Sequence, residues 1–240
     1  MTQAKYQRIL LKLSGEALLG SQNFGFSREA LQLYANEIKD IVGLGVQIGI
    51  VLGGGNLFRG RTTHQLGLTS VTSDQIGILG TIINALAFRD VLTSVHVKSV
   101  ILSAREIPGI TEGFEQYKAI QYLEQGYVVL FAGGTGNPLV TTDSASSLRA
   151  IEINADILLK GTNVDGIYSA DPDVNPHAVL YHHISYDNAL QKQLAVMDIT
   201  AFSQCRDFKL PIRVFNIFEP GVLKRIIQGE PIGTLVSEGE

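Results

Sequence analysis

Tyr127 to Pro138 reads YVVLFAGGTGNP. An apolar, β-favouring run of strand length empties directly into a glycine-rich turn. A strand with no polar alternation is buried on both faces, and that happens when helices cover a parallel sheet from both sides. The same construction recurs along the chain. Arg8 to Leu13 (RILLKL) runs into Ser14-Gly15, Val46 to Leu52 into Gly53-Gly54-Gly55, and Ile157 to Lys160 into Gly161.

Helical patterns separate these strands. Ser27 is placed to cap a helix on which Leu31, Tyr34, Ala35, Ile38, Ile41 and Val42 recur at steps of three and four, ended by Gly43 and Gly45. Asp74 to Thr93 carries Ile76, Leu79, Ile83, Leu86 and Ala87 along one side. Further helices are expected at Tyr117–Gln125, Asp143–Asn154, Tyr186–Gln193, Asp198–Asp207 and Gly221–Gln228, and strands at Val100–Leu102, Ile212–Asn216 and Thr234–Val236. Asp171 to Asn188 has no clear period and reads as loop with a short hairpin. The alternation predicts an α/β fold: one domain over residues 1–240, a three-layer αβα sandwich on a central, mostly parallel sheet.

Composition limits the function classes. The 240 residues carry 19 Lys+Arg against 23 Asp+Glu, a net charge of -4, with 45% hydrophobic and 18% charged residues. That is globular composition without a basic block, so no general nucleic-acid surface is expected. A single cysteine, Cys205, excludes an intrachain disulfide and points to a reducing compartment. The run Ile9-Leu10-Leu11 is cut by Lys12, too soon for a signal peptide, and no 18 consecutive apolar residues occur. The expectation is a soluble cytoplasmic protein without a membrane span.

In open α/β sheets, ligands bind beyond the carboxyl ends of the strands. Here four strand ends carry glycines, hydroxyls or lysines: Lys12 with Ser14-Gly15, the three glycines at 53–55, GGTGNP at 133–138, and Lys160 with the loop Gly161 to Asp171. Glycine lets backbone N–H groups approach phosphate oxygens, and Lys12, Lys160 and Arg59 add positive charge on one edge. Any one such turn is ordinary; the convergence is what points to a phosphate-bearing ligand. The P-loop, the G-x-G-x-x-G fingerprint, the protein-kinase signatures and G-x-S-x-G are all absent. His64, His96, His177, His182 and His183 have no metal-ligand spacing. Asp74 and Asp143 both stand where helices are expected to begin, so each also reads as a helix-start carboxylate or cap.

KLSGEAL at Lys12–Leu18, GGGNLFRG at Gly53–Gly60, AGGTGNPLVTTDSA at Ala132–Ala145 and LLKGTNVDGIYSADP at Leu158–Pro172 together resemble the amino acid kinase superfamily, and within it the bacterial uridylate kinases. The resemblance covers nearly the whole chain, PIRVFN at Pro211–Asn216 included. It implies transfer of a phosphoryl group from ATP to UMP with Mg²⁺ held mainly by the nucleotide phosphates. It also implies a place in pyrimidine nucleotide synthesis, a cytoplasmic homohexamer, activation by GTP and inhibition by UTP.

Carried over by position, Lys12, Asp143 and Lys160 would be catalytic. Lys12, Leu13, Ser14, Gly15, Gly55 and Arg59 would hold the ATP phosphates, and Thr162, Asn163, Tyr168 and Asp171 its adenosine. Gly54, Asp74, Thr135, Gly136, Asn137, Pro138, Leu139, Val140, Thr141 and Thr142 would face UMP, with Asp74 on the ribose. Gly20, Ser21, Gln22, Asn23, Phe24 and Gly25 match the segment the family links to GTP. Two stretches depart from the family's habit. Gln75-Ile76-Gly77-Ile78-Leu79-Gly80 stands where methionines and alanines are frequent, and Leu139-Val140 where aromatic residues are. A binding protein without turnover, a dinucleotide oxidoreductase, and a kinase acting on a small carboxylate or carbamate remain alternatives; the GTGNPLVTTD segment discriminates among acceptors.

Overall fold

The computed structural model describes residues 4–58, 67–172, 174, 175, 177–192, 194 and 197–239. Chain order is β1 (Arg8–Leu13), a 3-10 turn (Gly15–Leu18), α1 (Arg28–Val42), β2 (Gln47–Leu52), α2 (Ser70–Ser94), β3 (Ser99–Ser103) and β4 (Glu112–Gly113). It continues with α3 (Gln116–Glu124), β5 (Val128–Ala132), α4 (Thr142–Glu152), β6 (Ile157–Thr162), β7 (His183–Ser185), α5 (Tyr186–Gln191), α6 (Ile199–Asp207), β8 (Ile212–Asn216), α7 (Val222–Ile227) and β9 (Thr234–Ser237). Among the described residues one nine-stranded sheet runs β4-β3-β5-β2-β1-β6-β8-β9-β7. Its neighbours are parallel except β8 and β9, so β9 and its parallel partner β7 run against the rest.

The apolar strands bury both faces, as their composition demands. Ile9, Leu11 and Leu13 of β1 join Ile48 and Ile50 in a core shared with α1, α2 and α7. Leu10, Val51, Val129 and Leu158 point the other way, into a core with α3, α4, α5 and α6. The three-layer αβα sandwich is thus present. The expected hairpin is a single antiparallel bridge, Tyr168 to Leu180, and the edge strand β7 was not foreseen. Three residues carry no sequence period, so β7 is fixed by its partner β9 instead.

Helix α2 starts one turn before the expected Asp74. Thr69 caps it, its hydroxyl accepting from Thr72 N at 3.2 Å. By length and composition α2 is apolar enough to cross a membrane, with mean hydropathy 1.5. It is built into the core: Ile82, Ala85, Phe88 and Leu92 are buried against the sheet.

Helix α7 has no side chain of its own to cap it. Gly221 occupies the cap position at φ 74°, and Glu37 of α1 substitutes, its Oε1 accepting from Gly221 N at 2.9 Å. Glu37 is buried, and its Oε2 has no hydrogen-bond partner. Burial pushes the Glu37 carboxyl above its ordinary value of 4.5, against the opposing backbone bonds from Gly221 and Leu223. A raised folded-state value means the folded chain holds more protons than the unfolded chain between 4.5 and that value. Stability at this site is therefore lost as pH rises through the window. Glu37→Gln keeps the acceptor and removes the charge. The variant's urea midpoint should gain on the parent's as pH rises from about 4.5, then level off; a pH-independent difference would contradict this account of Glu37.

Candidate active site

Lys12 and Lys160 are register partners on the adjacent strands β1 and β6. Side chains at one register position of a parallel pair share a face, so two ammonium groups are driven together. Asp143, in the first turn of α4, lies between them. Its Oδ1 is 3.0 Å from Lys12 Nζ, an ion pair off the hydrogen-bonding angle, and its Oδ2 accepts from Lys160 Nζ at 2.5 Å. The three side chains are 12%, 8% and 15% exposed for Lys12, Lys160 and Asp143. Burial first, and then the Lys12 charge, push the Lys160 ammonium below the ordinary lysine value, while Asp143 pulls it up.

Asp143 is held by a support that the sequence reading missed. The cap of α4 is Thr141, not Asp143: the Thr141 hydroxyl accepts from Asp143 N at 3.1 Å and Ser144 N at 3.2 Å. The same hydroxyl donates to Asp198, and Ser144 Oγ donates to the other Asp198 oxygen at 2.8 Å. Asp198 in turn caps α6 through Ala201 N at 2.9 Å. Burial raises the Asp198 carboxyl, but these donors outweigh it and leave the group below its ordinary value. Thr141 thus has its hydroxyl committed within the protein.

The cluster sits at a seam. On one side, the loops after β2 and β5 form a cleft of about 160 Å³ lined by Gly54, Gly55, Phe58, Asp74, Thr81, Thr135, Asn137, Val140 and Thr142, among others. Asp74, one turn into α2, accepts from Leu139 N at 2.8 Å and so holds a residue at φ 65°. Asp74 is therefore a loop anchor rather than a helix-start charge. On the other side, β6 and β8 end at Thr162 and Asn216. Thr162 Oγ1 donates to Val164 O at 2.8 Å, and Asn216 Nδ2 and the Tyr168 hydroxyl both reach Asp165, at 3.1 and 3.3 Å. Asn163 and Asp171 lie exposed on this loop.

Gly15 closes the seam. A Cβ there would meet Gly55 N at 2.7 Å and Gly53 O at 2.8 Å, so only glycine lets the turns after β1 and β2 touch. Ser14, beside it, accepts from Glu16 N at 3.3 Å. Pro138 and Leu139 are less enclosed, Leu139 being 72% exposed. Gly20 to Phe24 are exposed, and Gly25 is tied down by Asn56, which accepts from Gly25 N at 3.1 Å and donates Nδ2 to Gly25 O at 2.9 Å. Arg59 lies outside the described residues. Among the described residues no group of three or more His, Cys, Asp or Glu could hold a metal, and both Asp143 oxygens already face ammonium groups. The described residues therefore offer a divalent ion no carboxylate cage.

The missed supports had one legible signal. Asn56, Thr81 and Asn84 are polar residues inside glycine or apolar surroundings, and all three are buried. A buried polar side chain needs partners, and in each case the partner is a glycine loop.

Asp143→Asn should leave two buried ammonium groups without a carboxylate and lower stability by about 3–5 kcal/mol. Urea unfolding of parent and variant checks this, and a change under 1 kcal/mol would mean that the ion pairs are solvated.

The family profile of the amino acid kinase family matches residues 7–216. A uridylate kinase of Coxiella burnetii is 52% identical over 238 residues, covering 99% of this chain and 98% of that protein. One from Pseudomonas fluorescens is 51% identical over 238 residues, covering 99% and 96%. Among solved structures, UMP kinase from Bacillus anthracis superimposes with a TM-score of 0.95 at 42% identity, covering 98% of this chain and 97% of that one. UMP kinase from Ureaplasma parvum gives 0.92 at 34%, covering 98% and 100%. With fold, strand-end site and full-length relatives in agreement, the chain belongs to the amino acid kinase family.

Proposed function

We propose that this protein transfers the γ-phosphoryl group of ATP to UMP, giving ADP and UDP. The observation that carries the reading is the Lys12–Asp143–Lys160 cluster at the seam between two half-sites, in a chain whose full-length relatives are named uridylate kinases. The cleft beyond β2 and β5 takes UMP, with Asp74 on the ribose and the 135–142 segment on the base and phosphate. The loop after β6, with Thr162, Asn163, Tyr168 and Asp171, takes the adenosine of ATP.

The acceptor needs no general base. A phosphate monoester has its second pKa near 6, so at neutral pH its oxygen is already an anionic nucleophile. That oxygen bonds to the γ-phosphorus as the bond to the β–γ bridging oxygen breaks, and the electron pair leaves on ADP. What the protein supplies is alignment of the two oxygens and positive charge around the group in flight. Lys12 and Lys160 provide that charge, and Asp143 keeps both ammonium groups aimed at the same point. Mg²⁺ on the nucleotide phosphates supplies further charge neutralisation when bound.

The reading extends to a cytoplasmic homohexamer in pyrimidine nucleotide synthesis, activated by GTP through the 20–25 segment and inhibited by UTP. The Gly25–Asn56 bonds support the activation by GTP, because they join the 20–25 segment to Asn56, next to the Gly53–Gly55 loop.

Lys12→Ala should lower kcat by about 10²-fold or more with the fold retained; single-turnover kinetics with unchanged circular dichroism check it, and a near-normal kcat would remove Lys12 from the mechanism. The acceptor itself is tested by steady-state rates for UMP, CMP, dUMP, AMP and GMP at saturating ATP. Uracil offers an N3–H donor and an O4 acceptor, and cytosine reverses both, so a site built for one leaves polar groups unpaired with the other. kcat/KM for CMP should fall at least ~10³-fold below that for UMP. Comparable rates would turn the reading to a general nucleotide kinase, and no ADP release with any acceptor would turn it to a binding protein.

A further inference from the structure

Asp74, Gly77, Thr81 and Asn84 stand at i, i+3, i+7 and i+10 of α2, which is one helix face. Asp74 anchors Leu139 from this face. The other two polar side chains do parallel work. Thr81, 4% exposed, donates its hydroxyl proton to Ile78 O at 2.7 Å, which turns its oxygen lone pair to Gly133 N at 2.8 Å. Gly133 stands at φ 76°, and a Cβ there would meet Ser103 Oγ at 2.9 Å. Asn84, fully buried, donates Nδ2 to Gly53 O at 2.6 Å and exchanges two amide bonds with Asn56, at 2.7 and 3.0 Å. Between them, Gly54 packs on the helix backbone so closely that a Cβ would lie 2.8 Å from Gly77 O.

The geometry points to Thr81 and Asn84 as positioning residues for phosphoryl transfer. Thr81 sets the loop after β5, which lines the acceptor cleft, and Asn84 sets the loop after β2, which lines the same cleft and also touches the turn after β1 at Gly15. The assignment of substrates to loops rests on the UMP kinase reading; the positioning of the loops does not. Both residues are polar, buried and bonded to the protein rather than to solvent, Asn84 away from the acceptor cleft and Thr81 at its wall, so replacing either frees a glycine loop. A role in packing alone would lower stability and weaken both substrates together. Positioning by separate loops gives a different pattern for each residue.

Thr81→Val removes the hydroxyl at nearly constant volume. KM for UMP should rise about 10-fold or more while KM for ATP stays within about 2-fold. Thr81→Ser, which keeps the hydroxyl, should stay within about 3-fold of the parent for both. Asn84→Asp places an oxygen against Gly53 O, and both KM values should rise together. If Thr81→Val does not fold, Thr81→Ala carries the same test, since it leaves space rather than a methyl group against Gly133 N. Equal effects of the Thr81 variant on both substrates, or failure of Thr81→Ser to restore UMP binding, would overturn the proposal. A readout without turnover separates it from the functional reading. Amide exchange at Gly133, followed by NMR, should speed up about 10-fold or more in Thr81→Val and not in Thr81→Ser. If the parent fails to phosphorylate UMP, the functional reading falls while this exchange still decides the positioning; unchanged exchange overturns it.

Discussion

Two lysines at one register position of adjacent strands are the constraint from which the site follows. Two lysines side by side in a partly dry cleft call for a carboxylate between them, and Asp143 stands there with one oxygen toward each. That requirement fixes where α4 begins. Its first turn must reach the carboxyl end of β1 and β6, so its cap must be rigid, and the cap is Thr141 braced by Asp198 from α6. Two helices and two strands are thereby tied to one point. The cluster also sets two lysines against one carboxylate, a formal excess of one positive charge.

The order of strands turns this point into a seam. Toward β2 and β5, the strands end in glycine loops roofed by α2; toward β6 and β8, they end in a loop ordered by Thr162, Asp165 and Asn216. In the proposed reaction, two ligands entering from the two sides would meet over the lysines. Gly15 allows this, because the turn after β1 must pass within contact distance of the turn after β2. Binding sites on opposite sides of a shared charge suit a group that passes between two anions, where repulsion between donor and acceptor is the main obstacle to approach.

Much of this was legible in the chain. β1 was placed at Arg8–Leu13, Ser27 does cap α1, and the four glycine-bearing strand ends do share one edge. Those readings rest on strong local signals: unbroken apolar runs and glycines where a backbone must come close. The misses have physical causes. The apolar period of α2 begins at Ile76, but hydrogen bonding begins at Ser70, because a hydroxyl cap needs no apolar residue beside it. β4 and β7 are two and three residues long and exist only through their neighbours. A helix was expected from Asp198, which caps it; that Asp198 also holds Thr141 and Ser144, more than fifty residues away, depends on α4 packing against α6. Long-range polar partners leave no period in a sequence.

Helix α2 shows why hydropathy alone misreads such a segment. Its outer side exposes Leu79 and Ile83 and its inner side buries Ile82 and Phe88, so by composition it passes for a membrane span. Asp74, Thr81 and Asn84 interrupt that composition on one face only, and each is met by the backbone of a loop after β2 or β5. The glycines nearby do not share this role equally. A Cβ on Gly77 would meet nothing within 4 Å, and one on Gly80 would make ordinary contact at 3.6 Å, so the alanines frequent in the family would fit here too. Gly54, across the contact, has no such freedom, since its Cβ would overlap Gly77 O. The departure from the family in this stretch therefore leaves the contact between helix and loop intact: the loop glycine sets the distance, and the helix can carry alanine or glycine without changing it.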